Sequence, residues 1–151
     1  MTDLPFRPFP DDAAVREIGQ RLLDRSLPRA DWTHEAHLGA ATWLVRERPD
    51  LDLDAQIAAI ISSYNLAVGG VNDADSGYHD TITRTYLAGV RAHVATRDPD
   101  EPLADSVNAL LASPAGRRDW PLRFYSRDLL LSAAARRAFV EPDLAPLPRP
   151  C

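Results

Sequence analysis

Lysine is missing altogether: all 17 basic residues of this 151-residue chain are arginine. That absence removes Schiff-base chemistry, a phosphate-loop lysine and a covalently held pyridoxal cofactor. Cysteine is reduced to Cys151, so no disulfide can form within the chain, and a frayed terminal thiol suits a reducing cytoplasm. No apolar run approaches the ~20 residues needed to span a bilayer. The start Met1-Thr2-Asp3-Leu4-Pro5 does not read as a signal peptide. Positive charge is scarce too. The net charge is -5, and no basic stripe tracks phosphates, which argues against nucleic acid as a partner. There is no Gly-rich phosphate loop, no dinucleotide fingerprint and no serine in a nucleophile elbow.

What is present is ordinary for a globular protein: 45% hydrophobic and 26% charged residues, enough chain for one domain with a real core. The expected organisation is a single helical domain over 1–151, with extended proline-rich tails at 1–10 and 141–151. Prolines 5, 8 and 10 keep the first segment extended. Asp11 or Asp12 caps a helix to about Leu27, and Pro28 ends it. A second helix follows Thr33 and runs to about Glu47, before Pro49. A third starts at Asp52 or Asp54 and closes at Gly69-Gly70. A fourth spans roughly Gly77 to Ala95, a fifth runs from Pro102 to Leu111, and Ser126 caps a last one to about Val140. No strand-like alternation appears, so the expected class is all-α: a compact five- or six-helix up-and-down bundle.

Three of the four histidines lie at two helix starts, Trp32-Thr33-His34-Glu35-Ala36-His37-Leu38 and Gly77-Tyr78-His79-Asp80-Thr81-Ile82-Thr83. At 100° per residue, His37 falls about 60° from His34, with Leu38, Ala41, Leu44 and Val45 close by. Both imidazoles therefore sit in the apolar stripe. The same projection groups His79 with Ile82, Thr83, Tyr86 and Val90. Antiparallel neighbours would bring the starts of the second and fourth helices and the end of the third to one pole. A polar layer of His34, His37, Tyr64, Asn65, His79, Thr83 and Tyr125 is expected there, with Trp32 beside it. His93 shares the face of His79, but fourteen residues at ~1.5 Å rise place it roughly 21 Å away, as a core or rim residue.

Helix N-termini and burial both disfavour imidazolium, and neutral imidazole is what a general base or a metal ligand requires. Two chemistries use these residues. In one, His79 or His34 is the acid–base group, Tyr64 a donor, and Asn65, Thr83, Trp32 and Tyr125 line the substrate. In the other, His34, His37 and His79 hold a divalent metal and leave a fourth position open to water. Tyr86 reads as a core aromatic. Arg84, Arg123 and Arg127 near the mouth could attract an anion. The expected function is a small cytoplasmic enzyme acting on a small polar molecule; the alternative is a non-catalytic ligand-binding or interaction module with a buried histidine network. The expected partner is a small molecule, with no nucleic acid and no membrane, and an exposed apolar helix face would permit a homodimer.

Taken together, W-T-H-x-A-H-L (Trp32 to Leu38), Y-N (Tyr64-Asn65), G-Y-H-x-T-x-T (Gly77 to Thr83), a late Y-S (Tyr125-Ser126) and P-D-L (Pro142-Asp143-Leu144) have a precedent. The combination resembles an uncharacterised family of small bacterial helical proteins, over about residues 27–144. The resemblance implies a helical fold and brings no activity with it. DinB-like metal-dependent bundles also draw three histidines from different helices, but at another spacing, so their ligands do not transfer.

Overall fold

A computed structural model describes residues 6–149. The extended start at Met1 to Pro5 and the terminal thiol of Cys151 lie outside the described residues. Seven α-helices and no strand occur among those described: α1 Asp12–Asp24, α2 His34–Glu47, α3 Leu53–Ala67, α4 Asp80–Ala95, α5 Leu103–Ala112, α6 Arg127–Leu130 and α7 Ala133–Arg137. No helix among them is long and apolar enough to cross a membrane.

Side-chain caps set most of the helix starts. Asp11 accepts from the Ala14 N–H, Thr33 from Ala36, and Asp52 from Ala55, each satisfying a donor that the first turn leaves without a partner. The start of α5 follows Pro102, which offers no capping side chain. Asp12 supplies it from α1, accepting from the Ala104 N–H at 2.8 Å. The ends depart from expectation in two places. Helix α1 stops at Asp24, before Leu27, because Arg25 turns left-handed (φ 60°, ψ 30°) and its N–H folds back to Arg21 and Leu22, a cap that ends the helix. The expected last helix is divided. Ser132 starts a second cap, accepting from the Ala135 N–H at 3.1 Å while donating to the Leu129 carbonyl at 2.7 Å. A six-helix reading therefore becomes seven.

Helix α2 is the hub, packed on α1, α4 and α5, while α3 packs chiefly on α1. The main core joins Val15, Leu38, Trp43, Leu44, Val90, Val107 and Leu110. A smaller cluster of Leu22, Leu27, Ala40 and Tyr64 lies under α3. The approach of α1 to α2 depends on Gly19, where a Cβ would collide with the Trp43 indole. The N-terminal segment is tied across the bundle by a reciprocal pair: the Phe9 N–H donates to Asn108 Oδ1 at 2.8 Å, and Asn108 Nδ2 to the Phe9 carbonyl at 3.0 Å.

Gly19→Leu should therefore cost about 1–3 kcal/mol by forced overpacking, read as a lower urea midpoint at unchanged slope. Gln20→Leu, on the exposed neighbouring position, should shift it little. Equal effects at the two positions would refute the close α1–α2 contact.

Candidate functional site

Because α3 leans on α1, a cleft of about 560 Å³ opens between α2, α3 and α4. Leu38, Ala41 and Leu44 of α2, Ile57 and Ile61 of α3, and Ile82 and Leu87 of α4 line it. Its polar groups are Thr33, His34, His37, Thr83, Tyr86 and Arg118, with Trp32 beside them. Thr33, His37 and Arg118 are exposed, whereas Leu38, Leu44 and Ile57 are buried, so the cleft has an apolar floor and a polar mouth. Of the stripe projected on α2, His34, His37, Leu38, Ala41 and Leu44 line the cleft, while Val45 packs against the main core. Thr83 and Trp32 also line it, and the start of α2 meets α4 at Tyr86, whose ring stands edge-on to His34.

The two cleft histidines are oriented by backbone carbonyls. His34 Nε2 lies 2.7 Å from the Gly116 carbonyl oxygen, and His37 Nδ1 lies 2.6 Å from that of Thr33. A carbonyl only accepts, so each of these nitrogens carries the proton and donates. The other nitrogen of each ring, Nδ1 of His34 and Nε2 of His37, then presents a lone pair that meets no partner among the described residues. The Trp32 indole stacks on His37 with centroids 3.8 Å apart, and the Tyr86 ring meets His34 edge-on at 5.9 Å. Desolvation by the packed face of the ring lowers the His37 pKa, and His34 and Arg118 push the same way; the Thr33 hydrogen bond opposes them. His37 is thus held as a neutral imidazole at the cleft mouth.

Four expected site residues belong elsewhere. His79 lies in extended backbone (φ -127°, ψ 108°) as the N-cap of α4, so the helical projection does not apply to it. Its Nδ1 accepts from the Ile82 N–H at 3.1 Å, and Nε2 donates to the Leu130 carbonyl at 2.8 Å. Both nitrogens are engaged within the fold, so neither presents a free lone pair to the cleft. Tyr64 is buried, its hydroxyl donating to the Leu27 carbonyl at 2.9 Å, with Trp32 edge-on at 5.4 Å. Asn65 instead braces the loop before α4, its Nδ2 donating to the Val71 carbonyl and to Asn72 Oδ1. The Tyr125 hydroxyl donates to the Val140 carbonyl at 2.7 Å, fastening the C-terminal tail.

The expected metal trio of His34, His37 and His79 therefore does not assemble, because His79 turns toward α6 and has no free lone pair. No three His, Cys, Asp or Glu side chains gather as a cation site among the described residues. His93 ties α4 to α5, donating Nε2–H to the Ser106 carbonyl at 2.9 Å, as its distance from the pole suggests. The expected arginines do not line the cleft: Arg84 is paired with Asp80 at 3.0 Å, and Arg123 and Arg127 point elsewhere. Tyr86, read as core, and Arg118, passed over in its loop, do line it. Burial raises the Tyr86 pKa, and its hydroxyl donates to the Arg117 carbonyl. Only the fold brings Arg118 to the mouth, through the His34–Gly116 bond.

His79→Ala removes both a cap and a tertiary tie, and is expected to cost about 1–3 kcal/mol in urea unfolding. His79→Asn, which can still cap, should recover part of it. The folded pKa of His79 is lowered by burial below its ordinary 6.5, and His93 shifts the same way. Their stability contribution is thus full above about 6.5 and is lost as pH falls through the lowered folded values, since the unfolded chain takes up protons first. The urea midpoint should fall between pH 7 and 5, and less so in His79→Asn; a flat wild-type profile would contradict this.

No protein-family model, curated protein or solved structure matches the chain.

Proposed function

We propose that this protein binds a small molecule in the α2–α3–α4 cleft and acts on it by histidine acid–base chemistry, with His37 as the proton-transfer group. One observation carries the reading: the Nδ1–H of His37 is fixed to the Thr33 carbonyl at 2.6 Å, leaving Nε2 as an oriented base at the mouth of an apolar cleft. A general base needs a defined tautomer, the neutral form and reach to the substrate. His37 meets the first two, and its place among the cleft-lining residues supplies the third. His34 is the companion group, with Nδ1 open. The likeness to other small-molecule sites lies in an apolar floor with a few convergent polar groups. The aliphatic floor favours a molecule with an apolar body beside its polar group, rather than simply the small polar molecule that the histidine motifs suggest.

A second reading, a non-catalytic binding module, is favoured by a separate observation. All four imidazoles donate to backbone carbonyls, a structural use that requires no chemistry. One experiment separates the two. Compounds that raise the melting temperature are incubated with protein and followed by NMR for conversion, beside His37→Gln. The acid–base reading expects product, with turnover reduced about 10²–10⁴-fold in the variant, circular dichroism confirming that the variant keeps its helices. Ligands recovered unchanged would favour the binding module, and full turnover by His37→Gln would remove His37 from the role.

A further inference from the structure

We propose that the cleft takes a small hydrophobic monocarboxylic acid, its apolar body on the aliphatic floor and its carboxyl group between Arg118 and the open nitrogen of His37. The inference rests on the reading of the cleft as the ligand site. It is carried by three features of the lining.

The first is charge. Arg118 is the one arginine lining the cleft, and no aspartate or glutamate lines it. Arg118 is exposed and takes part in no ion pair among the described residues. Its neighbour Asp119 is already engaged, accepting from Arg117 Nε at 3.1 Å. A cationic ligand would therefore find an arginine and no counter-charge. The second is the floor. Ile57, Ile61, Leu44 and Leu87 offer no hydrogen bond to a sugar or a nucleotide, whose hydroxyls would be stripped of water without replacement. A plain hydrocarbon would suit the floor but leave the mouth groups unused.

The third is the proton. His37 Nε2 and His34 Nδ1 accept while neutral, so the site takes the acid together with its proton, which a carboxylate ionised in solution draws from the buffer as it binds. Its O–H donates to His37 Nε2, or passes the proton to that nitrogen. The second carboxyl oxygen accepts from the Arg118 guanidinium, a fork that suits a carboxylate. The charges balance in either position of the proton: one cation and a neutral acid, or two cations and one carboxylate. An alcohol of the same length would satisfy His37 and forgo Arg118.

The test is calorimetric titration of the full chain with three probes of one chain length, octanoate, 1-octanol and octylammonium. Octanoate is expected to bind once per chain and to raise the melting temperature, with octanol weaker and octylammonium silent. Arg118→Ala should weaken octanoate about ten-fold and leave octanol unchanged. Arg123→Ala, exposed and outside the cleft, should alter neither. Ala41→Phe, which fills the floor, should block every probe, with circular dichroism confirming its helices and Ala41→Leu serving as the milder variant. Octylammonium binding as tightly as octanoate, or an unchanged octanoate affinity in Arg118→Ala, would overturn the acid class; loss of binding in the Ala41 variants would then still uphold the cleft. Probes that bind equally well to the Ala41 variants, or no binding of octanoate and octanol at all, would overturn both.

Discussion

The imidazole of His79 closes the N-terminus of α4 and the C-terminus of α6 at once, and the lower half of the molecule is organised around it. Its Nδ1 lone pair satisfies the Ile82 N–H, and its Nε2 proton satisfies the Leu130 carbonyl, which the break before α7 leaves free. Only a neutral imidazole in one tautomer can do both. Around this joint the C-terminal tail is laced to α4: the Thr81 hydroxyl meets Ala138 and Val140, Arg136 donates to the Gly77 carbonyl, and Tyr125 holds Val140. Asp143 accepts from the Ser126 N–H at 2.7 Å, and the Leu144 N–H donates to the Phe124 carbonyl at 2.9 Å. His79, Thr81 and Arg136 thus tie the start of α4 to the C-terminal segment, which Tyr125 and Asp143 fasten to itself.

That positioning makes the cleft. With α4 fixed at its start and packed on α2, the faces of both helices point at the same space, and α3 is drawn off toward α1 by Leu22, Leu27 and Tyr64. The Tyr64 hydroxyl on the Leu27 carbonyl anchors the end of α3 under Trp32. The residues expected to act on a ligand and the residues that build its cavity therefore share the same motifs. Trp32, His34, His37 and Thr83 reach the cleft, while Tyr64, Asn65, His79 and Tyr125 hold the elements around it.

Several helix starts were legible from a single capping side chain. Thr33 and Asp52 cap as their types suggest, and the apolar spacing of α2 places His34 and His37 correctly. His79 shows why the same logic fails at a similar motif. Gly77 takes a positive φ of 85°, where a Cβ would strike the Val71 carbonyl, so the turn extends through His79 and the helix begins only at Asp80. A projection started at Gly77 gives the right face for Ile82, Thr83 and Tyr86 and a meaningless one for the cap. Arg118 lay beyond any local pattern, because its place depends on a bond between residues 82 positions apart. The division of the last helix turns on Ser132, whose competition for backbone partners is visible in its type but not in its outcome.

The division of labour among the histidines is read most directly by long-range proton–nitrogen NMR of the uniformly labelled protein, which reports the tautomer and charge of each imidazole. His79 should appear as the neutral Nε2–H tautomer and stay so as pH falls below 6.5, with His37 as the opposite, Nδ1–H tautomer. A His79 ring protonated near neutrality, or carrying its proton on Nδ1, would contradict the joint at α4, and a His37 ring carrying its proton on Nε2 would contradict its role in the cleft.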